Sequence, residues 1–140
     1  MTGNKPSAPF ILASWAALLV GVLTFSAGLI NASMELSSKG FYFVTLMFGL
    51  FGAISVQKIV RDQLEDVPVT NIYYGLSWVA TLLPILLLMI GLWNAQYLML
   101  NEKGFFAISF VLSIFAVIVV QKNVRDLEAV TNRDSGGKEV

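Results

Sequence analysis

The chain has 140 residues, of which 56% are hydrophobic and 13% charged, and its nine basic and nine acidic side chains give a formal charge of zero. A domain with so few charged residues is too apolar to be an ordinary soluble protein. Cysteine is absent, which excludes a disulfide framework and thiol redox chemistry.

Four mostly apolar segments separate the charged residues, and each is predicted to cross a membrane. They lie near residues 10–31, 41–60, 73–96 and 105–122. A helix of about 17–25 apolar residues covers the roughly 30 Å of hydrocarbon in a bilayer. The first segment is longer than the apolar region of a signal peptide, so we expect it to remain as a span. The sequence therefore predicts an all-α integral membrane protein with four transmembrane helices.

The second half of the chain repeats the first, at an offset of 63 residues up to Ala32 and of 64 residues from Leu36 onward. We predict two tandem helical hairpins, at residues 10–62 and 73–126, joined by a cytoplasmic linker at 63–72. Because each repeat has an even number of spans, the hairpins should be parallel and related by a pseudo-twofold axis along the membrane normal. Residues 1–9 form the N-terminus, and the polar, Gly-rich residues 127–140 are predicted to be a disordered tail.

The basic residues are distributed unevenly between the two sides of the membrane that these spans define. If both termini lie in the cytoplasm, only Lys39 and Lys103 fall on the outer side. This distribution obeys the positive-inside rule, so we expect cytoplasmic termini. The cations on the cytoplasmic side are Lys5, Lys58, Arg61, Lys122, Arg125, Arg133 and Lys138.

A Gly-Leu-x-Asn-Ala motif closes the first and third spans at the outer surface. Small residues four positions apart let helix backbones approach closely, so these residues are candidates for helix packing. Asn31 and Asn94 are candidate outer helix caps, because Asn tolerates the left-handed conformation that ends many helices. A Lys-Gly-Phe turn is expected to follow each span and reverse the chain. The candidate packing residues are Gly21, Gly28, Gly49, Ala53, Gly91 and Ala95.

A Gln-Lys-x-Val-Arg-Asp box, at residues 57–62 and 121–126, closes the second and fourth spans on the cytoplasmic side. Its Lys and Asp are four residues apart on a helix, and such pairs contribute about 0.2–0.5 kcal/mol each. Our main interpretation is an interfacial anchor. The alternative is a basic ring that contacts anionic lipid or a partner, since a juxtamembrane cation is worth roughly 1 kcal/mol near anionic lipid. The cations of this ring are Lys58, Arg61, Lys122 and Arg125.

Several chemistries have no residues to support them. No Asp, Glu, Lys, Arg or His lies in the interior of a predicted span, whereas proton- or cation-coupled exporters of this size need an embedded carboxylate. The chain has no His for haem ligation, and no Ser-His or metal-ligand group can be assembled. We therefore expect no catalytic residue, no cofactor, no metal and no enzymatic activity.

Two tandem two-helix units with these three motifs resemble the YiaA/YiaB family of bacterial inner-membrane proteins. The resemblance covers about residues 10–126, and the Gln-Lys-x-Val-Arg-Asp box is its most specific part. It implies a small multi-pass protein of the bacterial inner membrane, and it supplies no reaction and no transported substrate.

The leading hypothesis for function is a non-enzymatic structural or accessory membrane protein, with a stress-related role as one form of it. Such a protein would act through helix–helix contacts with copies of itself or with another membrane protein. A second hypothesis is a small transporter or channel, with Asn31 and Asn94 as a polar pair at the outer mouth. A third is a module that binds anionic lipid through the four cations of the boxes. Membrane lipid is the expected partner in each case, and nucleic acid is not.

Overall fold

The structure is a computed structural model, and it describes residues 5–137 as four helices joined by short connections. The outermost residues of the two predicted termini, 1–4 and 138–140 with Lys138, lie outside the described residues. The helices are α1 Ala8–Asn31, α2 Leu36–Leu64, α3 Asn71–Asn94 and α4 Leu100–Gly136. All four are long and apolar enough to cross a membrane, as the sequence predicts.

Equivalent polar residues begin the first helix of each repeat. The hydroxyl of Ser7 accepts a hydrogen bond from the Phe10 N–H at 3.4 Å, and that of Thr70 accepts one from the Tyr73 N–H at 3.2 Å. Each hydroxyl satisfies one of the amide groups that a helix leaves free in its first turn. These two caps mark where α1 and α3 begin.

The Lys-Gly-Phe segments are not turns. α2 begins at Leu36 and α4 at Leu100, so both segments lie inside the early turns of a helix. Their glycines do not adopt a positive φ, and a Cβ built on Gly40 or Gly104 would have nothing within 4 Å. The chain reverses before these helices begin, because each span ends at its Asn and an extended Ala32 or a non-helical Ala95 follows.

The predicted disordered tail is wrong for residues 127–136, because α4 continues through them to Gly136. Neither glycine nor proline interrupts the chain between Asp126 and Gly136, whereas Pro68 follows shortly after the end of α2. Asp66, with φ of 57°, turns the chain there. The second helices of the two repeats therefore end differently, α2 at Leu64 and α4 at Gly136.

Neighbouring helices in the bundle belong to different repeats. α1 packs along α4 and α2 packs along α3, both antiparallel, while α2 and α4 meet in the middle. The two helices of one repeat share few contacts. Each predicted hairpin is therefore continuous in the chain, but its two helices do not pack closely against each other. This arrangement means that each repeat buries its apolar faces against the other.

The buried positions recur with the repeat. α1 buries Ser14, Gly21, Phe25 and Leu29, and α3 buries the four residues that lie 63 positions later, Ser77, Pro84, Leu88 and Leu92. Leu46, Phe106 and Phe110 complete the centre of the core. The remaining helix faces are apolar and exposed, which fits contact with lipid and would be unusual for a soluble surface.

Candidate functional site

The most distinctive polar feature of the bundle is the meeting of the two Gln-Lys-x-Val-Arg-Asp boxes. Residues 57–62 lie near the end of α2, and residues 121–126 lie on the facing part of α4. Because α2 and α4 are neighbours in the centre of the bundle, the two boxes lie side by side at the same end of the molecule. We call this cluster the crossed boxes.

Asp126 is the centre of one half of the crossed boxes. Its Oδ1 accepts a hydrogen bond from Arg61 Nη2 of the other box at 2.9 Å, and its Oδ2 accepts one from Lys122 Nζ at 2.7 Å. The Asp126 side chain is 10% exposed and that of Arg61 is 24% exposed. An ion pair that is largely removed from water and hydrogen-bonded in this way contributes more than an exposed pair.

Asp62 is the equivalent centre of the other half. Lys58 Nζ donates to Asp62 Oδ2 at 2.6 Å, and Arg125 Nη2 lies 3.7 Å from Asp62 Oδ1. Each arginine therefore faces the aspartate of the opposite box, and each lysine pairs with the aspartate of its own. The arginine–aspartate pairs join α2 to α4, so the crossed boxes connect the two repeats as well as ending two spans.

The pKa of Asp126, which lies beyond the predicted span, is lowered. Burial favours the protonated form and acts to raise this pKa, but the hydrogen bonds and positive charges of Lys122 and Arg61 together outweigh it. The carboxylate is therefore ionised at neutral pH, and the ion pairs of the crossed boxes are present there.

The four cations proposed to contact lipid or a partner are differently placed. Lys58 and Lys122 have side chains that are 53% and 55% exposed and can reach outward. Arg61 and Arg125 are 24% and 22% exposed and point toward carboxylates. Asp62 and Asp126 lie among these four cations, so the net positive charge of the crossed boxes is about half of that of the cations alone. This lower charge weakens the attraction for anionic lipid. The sequence-based candidates omitted both aspartates, although their exact recurrence in the two boxes was the available signal.

A buried polar contact beside the crossed boxes breaks the symmetry of the repeats. Asn123 is 1% exposed, and its Nδ2 donates to the hydroxyl of Ser14 on α1 at 3.2 Å. Its Oδ1 is buried without a hydrogen-bond partner among the described residues. The equivalent position of the first repeat is Ile59, also 1% exposed, so the same site in the fold accepts an apolar side chain.

Asn123→Ile should therefore change the free energy of unfolding by less than about 1 kcal/mol, because losing one hydrogen bond is offset by removing an unsatisfied amide. Asn123→Ala should cost about 2 kcal/mol, since the shorter side chain leaves a cavity. Reversible unfolding in mixed micelles measures both. Equal losses for the two variants would show that the contact with Ser14 is needed and not merely tolerated.

The candidate packing residues lie at close contacts between helices of different repeats. A Cβ on Gly28 would be 2.7 Å from a ring carbon of Phe105, and a Cβ on the equivalent Gly91 would be 3.0 Å from one of Phe41. A Cβ on Gly21 would be 2.5 Å from the hydroxyl of Ser113. On Gly49 it would be 2.9 Å from the ring of Phe110, and Ala53 and Ala95 are each 2% exposed. All six small residues are thus used inside the bundle and not on its outer faces.

Asn31 and Asn94 do not meet each other and are not left-handed caps. Asn31 Nδ2 donates to the carbonyl of Ala27 at 2.9 Å, and Asn94 Nδ2 donates to that of Ile90 at 3.0 Å. Among the described residues other than glycine, only Asp66 has a positive φ. Each amide bonds back to a carbonyl four residues earlier in its own helix, and the chain leaves the helix through Ala32 and Ala95, which both have a negative φ.

Four cavities open at the ends of the bundle. One of about 600 Å³ adjoins the crossed boxes, and three lie at the other end, of about 370 Å³ beside Gly28, 290 Å³ beside Gly91 and 660 Å³ beside Met34. Between them the core is filled by Phe25, Leu46 and Phe110. Within residues 5–137 no group of three or more acidic residues is placed to hold a metal ion.

Comparisons with known proteins agree with this architecture. The family model described as yiaA/B two helix domain matches twice, at residues 10–62 and 73–126. The inner membrane protein YiaA of Escherichia coli (strain K12) is 49% identical over 120 residues, covering 86% of the chain and 82% of that protein. The uncharacterized membrane protein YubF of Bacillus subtilis (strain 168) is 40% identical over 64 residues, covering 45% of the chain and 74% of that protein. No solved structure matches the chain.

Proposed function

Because the chain belongs to the YiaA/B two-helix domain family, we propose that it is a non-enzymatic structural or accessory protein of the inner membrane. It would act through helix–helix contacts with copies of itself or with another membrane protein. Four apolar helices and an inner-membrane relative support a multi-pass location in that membrane. The distribution of cations supports placing both termini, and with them the crossed boxes, in the cytoplasm.

The observation that carries this proposal is the closed interior of the bundle. Phe25, Leu46 and Phe110 pack together in the half of the bundle opposite the crossed boxes. Nearer the middle of the spans Gly21 lies against Ser113, whose hydroxyl bonds to the carbonyl of Ser109 in its own helix. Such hydroxyls are satisfied locally and need no substrate. At the charged end the crossed boxes join α2 and α4. A filled core that is held at its end favours a rigid scaffold.

The recurrence of buried positions and of ion pairs supports a pseudo-twofold relation of the two repeats along the membrane normal. Arg61 with Asp126 and Arg125 with Asp62 are equivalent pairs under such an axis. A scaffold of this kind presents two similar lipid-facing surfaces, so a partner that recognises one surface can bind the other as well.

Transport is the weaker alternative. A transporter needs an aqueous path or a binding site near the middle of the membrane. The cavities beside Gly28 and Gly91 are lined by residues at the ends of the helices, and Asn31 and Asn94, the predicted polar pair, bond to their own helices.

The proposal predicts a defined assembly. We expect affinity purification at native expression levels, in nanodiscs, to yield either a homo-oligomer of fixed stoichiometry or a stoichiometric membrane-protein partner by native mass spectrometry. The absence of cysteine permits a clean confirmation, because single cysteines at the lipid-facing positions Leu23 and Leu86 introduce the only thiols. A bare monomer that gives no crosslink at either position in native membranes, together with solute flux in liposomes, would overturn the proposal in favour of transport.

A further inference from the structure

The cavity of about 600 Å³ at the charged end has a lining that the crossed boxes do not explain. It lies between the end of α2, the extension of α4 beyond Asp126 and Lys5 before α1. Its volume is in the range of about 300–1,000 Å³ that small-molecule sites occupy. Its lining residues lie outside the predicted spans, which end at residues 60 and 122, so we place the cavity at the level of lipid headgroups.

The lining contains four cations and four carboxylates. Arg61, Arg125 and Asp126 belong to the crossed boxes. The others are the cations Lys5 and Arg133 and the carboxylates Glu65, Glu128 and Asp134. None of these five forms an ion pair with another residue of the part of the chain that the structure describes, residues 5–137. A site for a purely anionic group would not place three further carboxylates around it, since each repels the ligand.

The arginines of the crossed boxes keep donors for a further ligand. Arg61 lines the cavity, and its Nε has no hydrogen-bond partner among the described residues, but this atom is covered and a ligand reaches it only if neighbouring side chains shift. Arg125 Nη2, at 3.7 Å from Asp62, is beyond hydrogen-bond distance. Guanidinium groups bind phosphate in a bidentate manner, so both side chains suit a phosphate oxygen.

We propose that this cavity binds the zwitterionic headgroup of a phospholipid, a phosphodiester joined to a primary ammonium. Arg61, Arg125 and Arg133 face the phosphate, and Glu65 and Glu128 accept hydrogen bonds from the ammonium. The membrane supplies the ligand, because acyl chains can continue along the apolar faces of the helices below the cavity. This site goes beyond the structural role proposed above and does not depend on it.

Native mass spectrometry of the protein released from nanodiscs tests the proposal. The nanodiscs contain equal amounts of phosphatidylethanolamine, phosphatidylcholine and phosphatidylglycerol. We expect phosphatidylethanolamine to be retained in at least about fivefold excess over each of the others, a difference of about 1 kcal/mol. Arg133→Gln and Glu128→Gln should each reduce this excess to below about twofold, because each removes one exposed charged contact with the headgroup. Both residues are exposed on α4, so the variants should fold.

Lys103→Gln and Glu35→Gln, at the opposite end of the helices, are the matched controls and should retain the full excess. Equal retention of phosphatidylcholine, whose ammonium has no N–H, would overturn the proposal. So would a preference for phosphatidylglycerol that is lost with Arg133→Gln and kept with Glu128→Gln, since it would identify an anion site. Binding of glycerophosphoethanolamine to delipidated protein in detergent, without retention of the lipid, would overturn the membrane as the source.

Discussion

Gly52→Ala should destabilise the bundle by about 2–3 kcal/mol, the upper part of the range for overpacked sites. A Cβ at this position would overlap the backbone carbonyl oxygen of Ala80 on α3 and would lie 2.9 Å from the Cα of Thr81. Backbone atoms in a helix cannot move aside as a flexible side chain can, so α2 and α3 must separate. Reversible unfolding in mixed micelles, followed by circular dichroism, measures the loss.

Proline explains why the backbones approach so closely at this point. Pro84 has no N–H, so the carbonyl of Ala80 loses the donor that usually lies four residues further along a helix. The missing Cβ of Gly52 lets a Cα–H group face this carbonyl, and such contacts contribute perhaps 0.5–1 kcal/mol each. In the other interface the residue equivalent to Pro84 is Gly21, which keeps its N–H, and the residue equivalent to Gly52 is Ala116. A glycine is thus found opposite the proline and an alanine opposite the intact helix.

Gly40→Ala on the same helix is the matched control, because a Cβ there would have nothing within 4 Å. It should stabilise the protein by up to about 1 kcal/mol, since alanine loses less conformational freedom in a helix than glycine does. The two substitutions are chemically identical and are expected to act in opposite directions. A loss of stability for Gly40→Ala equal to that for Gly52→Ala would show that glycine matters in α2 for a reason other than contact with α3.

The four spans and the repeat were predictable because they depend on local composition and on direct comparison of two halves of the chain. The helix against which each helix packs could not be predicted in this way. Small residues at Gly21 and Gly28 indicate a close contact without indicating which helix makes it, and the contact proves to be with α4 of the other repeat. The end of α4 was also not predicted, since the polar composition after Asp126 resembles a disordered tail although no residue there ends a helix before Gly136.

The crossed boxes illustrate the same limit. Spacing within one box shows that Lys58 and Asp62 are neighbours on a helix, and the structure contains this pair. Spacing cannot show that Arg61 reaches Asp126, because that contact joins residues 65 positions apart and depends on α2 lying beside α4. A membrane anchor requires only the contacts within each copy of the box. The pairing between copies adds a role in holding the two repeats together.

Arg61→Gln and Asp126→Asn should each cost about 1.5–2 kcal/mol of unfolding free energy, between the values for exposed and for fully buried ion pairs. The double variant should cost less than the sum, with a coupling energy of about 1 kcal/mol, because the second substitution removes a group that the first has left without its partner. The same unfolding assay measures all three variants.

Lys58→Gln is the control that distinguishes two roles of the crossed boxes, holding the two repeats together and anchoring the helix ends at the membrane surface. This lysine also forms a hydrogen-bonded ion pair with an aspartate of the crossed boxes, at 2.6 Å, but the pair lies within α2 and the lysine side chain is half exposed. Its loss should cost only about 0.3–0.5 kcal/mol, the value for pairs along one helix. If Arg61→Gln costs no more than Lys58→Gln and shows no coupling with Asp126→Asn, the arginines contribute as interfacial charges and the crossed boxes do not hold α2 against α4. A larger loss of unfolding free energy for Arg61→Gln, coupled to that for Asp126→Asn, means that each copy of the box is the binding partner of the other.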